Sequence, residues 1–159
     1  MTMRVVLAID DSPHARAATK SIIDHVRPDA TTVHVLHVIE LDRMLPPAVD
    51  FARGADYGAE VVARVDHSRD AAERLVASAA QQLHQAHFLT ATAVAEGDPR
   101  HAILNYATEI GCHCIVMGSH GRRGFDRFFM GSVSESVVRH AHCSVVLIRL
   151  DRTDGHTVR

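Results

Sequence analysis

The chain has no tryptophan and only two tyrosines and five phenylalanines in 159 residues. So few rings leave little with which to build a base-stacking platform for single-stranded nucleic acid. Lysine is almost missing, with Lys20 the sole copy. A P-loop, G-x-x-x-x-G-K-[ST], therefore cannot be present. Neither sign of charge dominates, the formal net charge being -2. No broad basic face for nucleic acid is expected from such a balance. The three cysteines, Cys112, Cys114 and Cys143, are odd in number and lack C-x-x-C spacing. That suits a reducing cytoplasm better than a disulfide framework. Arg4, Asp10 and Asp11 interrupt the N-terminal apolar run, so no secretory signal is expected there. No run approaches the roughly 20 apolar residues of a membrane span. The expected setting is the cytoplasm, with no membrane and no nucleic-acid partner.

Against these absences one stretch is unusually rich. Residues Ile115 to Ser136 read I-V-M-G-S-H-G-R-R-G-F-D-R-F-F-M-G-S-V-S-E-S. A short apolar run ends at Met117, and Gly118, Gly121 and Gly124 follow at three-residue steps. Arg122, Arg123 and Arg127 lie among them, and Gly131-Ser132 closes the stretch. A strand end, a glycine-rich basic loop and a helix start make a phosphate cradle. Glycine lets backbone amides approach an oxyanion without a Cβ in the way. A helix start offers unpaired N–H donors and a positive dipole end. Arginine offers planar donors suited to phosphate. Ser132 and Glu135 also fit a capping box, S-x-x-E, which needs no ligand. The dinucleotide fingerprint is excluded, because the turn after the first strand reads D-D-S-P and holds no glycine.

The rest of the chain alternates strands and helices. Arg4 to Asp10 is a near-continuous β-branched run, the pattern of a strand covered on both faces. Ser12-Pro13 caps a helix reaching about Val26. Thr31 to Ile39 is a second strand, whose His34 and His37 fall on opposite faces. Residues 40–57 read as a loop or insert. From about Gly58 to Ala86, Val61, Val65, Ala72, Leu75, Val76, Ala79 and Leu83 recur at helical spacing. Phe88 to Ala95 is a third strand. Asp98 caps a helix that Gly111 terminates. His113 to Met117 and Ser144 to Leu150 supply the fourth and fifth strands, with a helix from Ser132 between them. Cys112 and Cys114 are expected on one face beside a buried strand, acting as small apolar residues.

This order predicts a single α/β domain over residues 3–150. Its core is a doubly wound five-stranded parallel sheet, order 3-2-1-4-5, with helices on both faces. Residues 151–159 are expected to form a flexible tail. The winding reverses between the first and fourth strands, and ligands bind beyond the carboxyl ends of strands at such a point. Asp10 and Gly118 stand at those two ends.

The chain resembles the universal stress protein family over about residues 3 to 150. The likeness rests on that family's nucleotide-binding pattern, G-x2-G-x9-G-[ST], here Gly118, Gly121, nine residues, then Gly131-Ser132. The resemblance implies ATP as ligand, with or without a magnesium or manganese ion. It implies that Asp10 meets the ribose, with Ala8 and Ile9 beside the base, and that Val38 contacts adenine. Met117 and Gly118 would line the cleft, His120 and Gly121 would approach the phosphates, and Gly131, Ser132 and Val133 would close the triphosphate end. It also implies a homodimer pairing fifth strands through Val145, Val146, Leu147 and Ile148. An apolar edge strand of this kind needs a partner or a cover.

Thirteen histidines invite a metal reading. Cys112-His113-Cys114 and His140-Ala141-His142-Cys143 lack the spacing of a zinc knuckle or finger, so no metal site is expected. His120 has a side chain suited to general-base chemistry, yet no nucleophile, base and acid can be assembled around it from the sequence. The expected function is that of a cytoplasmic ATP-binding stress-response regulator whose nucleotide state alters a glycine-rich loop. A slow ATPase or nucleotidyl transferase and a ligand-free dimeric scaffold are the alternatives.

Overall fold

The computed structural model describes residues 2–40, 55–120 and 130–150. Five strands alternate with four main helices: β1 (Met3–Ala8), α1 (Pro13–His25), β2 (Thr31–Ile39), α2 (Ala55–Gln85), β3 (Leu89–Glu96), α3 (Pro99–Glu109), β4 (Cys114–Gly118), α4 (Ser132–His140) and β5 (Ser144–Ile148). The sheet order is β3-β2-β1-β4-β5, and every pairing is parallel. The expected order 3-2-1-4-5 is therefore found.

β1 sits at the centre because its side chains are apolar on both faces. Val5 and Leu7 join a core with Ala18, Ile22, Val76, Leu83 and Phe88, from α1, α2 and the approach to β3. Val6 and Ala8 join a second core with Leu36, Ile103, Ala107, Ile115, Met117 and Val137, beneath α3 and α4. Helices thus cover both faces. Burying a side chain such as Leu7 or Ile115 contributes about 1.5–3 kcal/mol.

The helix starts use the local chemistry expected of them. Ser12 Oγ accepts from the Ala15 amide at 3.2 Å, and Pro13 fills a first-turn position that needs no donor. Asp98 caps α3 in the same way, accepting from the Arg100 amide at 2.9 Å. Gly111 ends the α3 connection at φ +58, in the left-handed region glycine adopts without strain. α2 begins at Ala55, three positions earlier than its periodicity suggests. Residues 41–54 and the proposed tail 151–159 lie outside the described residues.

The β2 histidines behave as packing and hydrogen-bonding residues. His34 Nδ1 meets the Tyr106 hydroxyl at 3.1 Å, while His37 is buried on the other face. Cys112 and Cys114 correct one expectation, since Cys112 packs into the α3/α4 core and Cys114 into the α1/α2 core. β4 starts only at Cys114, so the two-residue period of a strand does not extend back to Cys112.

Candidate functional site

The carboxyl ends of β1 and β4 meet at the point where the winding reverses. Ala8 and Met117 are register partners there, and both are buried. Val38, near the end of β2, packs in the same cluster as Ala8 and Met117. Ala8, Val38 and Met117 are therefore brought together, whereas the Ile9 side chain packs into the α1/α2 core on the other face. Ile9 continues the β1 line through its amide, which donates to the Leu36 carbonyl at 2.9 Å. Its carbonyl accepts from His37 Nδ1 at 2.7 Å. Because a carbonyl cannot donate, that ring nitrogen carries the proton. His37 thus fixes the backbone immediately before Asp10, and Asp10 itself stands half-buried at the mouth of the switch point.

The two ends of the glycine motif are joined by hydrogen bonds. The Gly131 amide donates to the Ser119 carbonyl at 3.0 Å. The Ser134 hydroxyl donates to the Gly118 carbonyl at 3.0 Å. The Ser119 amide donates to the Ile148 carbonyl at 2.9 Å, which ties the same turn to β5. The start of α4 is thereby held beside the end of β4, with Ser132 exposed and Val133 half-buried in the first turn. The first amides of a helix have no partner within it, so this turn presents donors next to Gly118. Ser134, buried and central to the join, escaped sequence reasoning. Its neighbour Ser132 carries the family pattern, and only the fold shows which serine reaches back.

Two details revise the sequence reading. The N-cap of α4 is Gly131, with no side-chain cap bond, and Ser132 is the first helical residue. The S-x-x-E capping box is therefore not formed, and Glu135 instead pairs with Arg139 at 2.9 Å. Gly118 is required by the protein itself. A Cβ there would lie 2.6 Å from His14 Cβ and 3.1 Å from the His14 backbone carbon. Real Cβ contacts are not that short, so the first turn of α1 occupies the space that glycine leaves.

His14 was not singled out by the sequence, yet its ring lies 5.2 Å from that of His120, centroid to centroid, tilted by 43°. His120 Nδ1 lies 3.0 Å from Ser119 Oγ. Burial pushes the His14 pKa down, the neighbouring His120 pushes it further down, and Asp10 opposes both. Asp11 and Arg16, on the solvent side of α1, approach at 3.8 Å. Gly121, Gly124, Arg122, Arg123 and Arg127 lie outside the described residues. Among the described residues, no group of three or more His, Cys, Asp or Glu side chains is arranged to hold a metal ion.

A parallel sheet of order β3-β2-β1-β4-β5, with helices on both faces, defines the class of doubly wound α/β proteins, in which the switch point is the usual place for a ligand. The relatives narrow the class. Residues 1–149 match the universal stress protein family. A universal stress protein of Bacillus subtilis, YxiE, is 27% identical over 153 residues, covering 94% of this chain and all of its own length. One from Methanocaldococcus jannaschii is 38% identical over 58 residues, only 36% of this chain and 34% of that protein. Among solved structures, hypothetical protein MJ0577 shares the fold at a TM-score of 0.81 and 21% identity, over 96% of this chain and 99% of its own. A universal stress protein family protein from Arabidopsis thaliana, solved with AMP bound, shares the fold at 0.62 and 19% identity, over 98% and 97% of the two chains. The chain belongs to the universal stress protein family.

Proposed function

We propose that the chain is a cytoplasmic adenine-nucleotide-binding regulator, with ATP as its ligand, and that occupancy alters the loop 118–131 and so the surface offered to partners. One observation carries the reading: Gly118 and Ser119 are tied to Gly131 and Ser134 across the motif, beside the β1 end that leads into Asp10. In this reading Asp10 accepts from the ribose hydroxyls. Ala8, Val38 and Met117 form the apolar wall along the base, with Ile9 contributing backbone beside it. Gly118, His120 and Gly121 face the phosphates, and Gly131, Ser132 and Val133 offer first-turn amides to the triphosphate end. A nucleotide bound in the Arabidopsis relative supports the ligand class. A magnesium or manganese ion would arrive on the phosphate oxygens, since the described residues supply no ligand cluster.

Binding is favoured over turnover by the state of Ser119. It lies against His120 as a nucleophile lies against its base, yet it is 1% exposed, with its amide and carbonyl both engaged. An attacking oxygen must reach its substrate, and this one is enclosed. At most, slow hydrolysis is expected. β5 is an edge of the sheet and Val146 is 43% exposed on it, which supports a homodimer paired through Val145, Val146, Leu147 and Ile148. Isothermal titration with ATP tests the central reading. Saturable heat is the expected result, and none at roughly millimolar nucleotide, where binding is worth only about 4 kcal/mol, overturns it.

A further inference from the structure

We propose that His14 and His120 form a proton-accepting pair that receives the phosphates of the bound nucleotide, so that binding takes up protons and tightens as pH falls. The inference rests on the nucleotide reading above and adds to it a residue and a coupling that neither the motif nor the fold family supplies.

The geometry comes from two separate elements. His14 is in the first turn of α1, and His120 follows β4. The sheet brings their rings to 5.2 Å, against Gly118, whose missing side chain leaves room for His14. His14 therefore stands between the carboxylate assigned to the ribose and the loop assigned to the phosphates. Two imidazoles this close cannot both be charged without repulsion. In keeping with that, burial and then His120 lower the His14 pKa, with Asp10 opposing them. Among the described residues, the other charged groups at this end of the sheet are Asp11, just before α1, and Arg16 on α1, which approach each other in solvent, Glu40 after β2, and Arg149 after β5. Arg122, Arg123, Asp126 and Arg127 belong to residues 121–129, outside the described residues.

A phosphate anion reverses this balance. Negative charge beside the pair favours both imidazolium forms and offsets their mutual repulsion. The pKa of His14 is then low in the free protein and higher in the complex. Between those two values the complex holds more protons than its components, so affinity rises as pH falls. Adenosine, which has no phosphate, should leave the pair alone.

The test is an NMR pH titration of the His14 and His120 ring resonances in the full chain, alone, with ATP and with adenosine. It is joined to calorimetric ATP affinities for wild type, His14→Asn and His120→Asn. Because the nucleotide itself titrates in this range, the variants isolate the protein's share. The expected result is an upward move of the His14 pKa with ATP and none with adenosine. Wild-type affinity should tighten roughly threefold to tenfold between about pH 7.5 and about pH 5.5, as one coupled proton allows, and His14→Asn should lose most of that gain. ATP binding with an unmoved His14 pKa, or an unchanged pH slope in His14→Asn, overturns the pair while the nucleotide reading stands. No ATP binding at any pH overturns the nucleotide reading itself.

Discussion

The two ends of the sheet are built from similar residues and do different things. At the amino end, Arg4 donates to the Gly111 carbonyl through Nε at 3.1 Å and Nη2 at 2.9 Å. Its backbone exchanges hydrogen bonds with His113, at 3.1 Å to Nδ1 and 2.9 Å from the His113 amide. Burial pushes the Cys114 thiol up, and partial burial, with Cys112 beside it, pushes the half-buried Cys143 up to about 11. Thiols held protonated are poor nucleophiles and poor ligands. At the carboxyl end the bonds clamp backbone, at Ile9, Gly118 and Ser119. They hold a carboxylate, two imidazoles and a helix start around one crevice. Histidines and polar groups at one end close connections, and at the other they border the switch-point crevice proposed to take the nucleotide. Position at the switch point makes the difference, not residue type.

The sharpest way to break the comparison is at Gly118. Gly118→Val places a Cβ against His14, and such overpacking costs about 1–3 kcal/mol. Chemical denaturation should report that loss and calorimetry the loss of ATP binding. Full stability with full affinity would remove the close approach from the account. Next comes a matched pair of truncations. Ser134→Ala leaves the Gly118 carbonyl without its side-chain donor, which should cost about 1–3 kcal/mol and weaken ATP as well. Arg4→Ala should lower stability by about 1 kcal/mol and leave ATP affinity where it was. If both variants behave alike, the two ends are not distinct.

Asp98 sharpens the contrast from a third place. It caps α3 beside the β3 edge, and its hydrogen bonds from Arg100 hold its pKa down at about 2. A depressed carboxylate stabilises the fold above the unfolded-state pKa near 4 and loses that contribution as pH falls toward 2. Asp98→Ala should therefore cost about 1 kcal/mol at neutral pH, with the gap to wild type closing in acid and ATP affinity unmoved. The smallest effect belongs to the thiols. With Cys143 held near 11, iodoacetamide at about pH 8 should label it more slowly than a free thiol, which carries a sizeable thiolate fraction at that pH. Labelling followed by mass spectrometry reads this directly, and rapid modification would contradict an inert amino end.

Most of the fold was legible because its signals are local. Val5 to Ala8 and Ile115 to Met117 are apolar without alternation, which only a strand buried on both faces requires. Ser12-Pro13 and Asp98-Pro99 mark helix starts by their own chemistry. The order of strands followed from regular alternation and right-handed crossovers. The switch point was legible at Asp10 and Gly118, which follow and end the two strands that meet there, and Gly131-Ser132 was legible as a helix start. What stayed hidden depends on contacts across the chain. The His14–Gly118 approach and the Ser134–Gly118 bond join residues no periodicity relates. The nearest signal for His14 was its place one residue after Pro13, in a first turn that must face β4. The S-x-x-E spacing misled because a glycine one position earlier already served as the cap.

Chemical-shift mapping of the labelled full chain during an ATP titration tests the central claim most directly. The account predicts shifts at Asp10, His14, Gly118, His120 and Gly131 to Val133, with Arg4, Gly111 and Cys143 unmoved. Silence at the first group, or movement centred on the second, would contradict it.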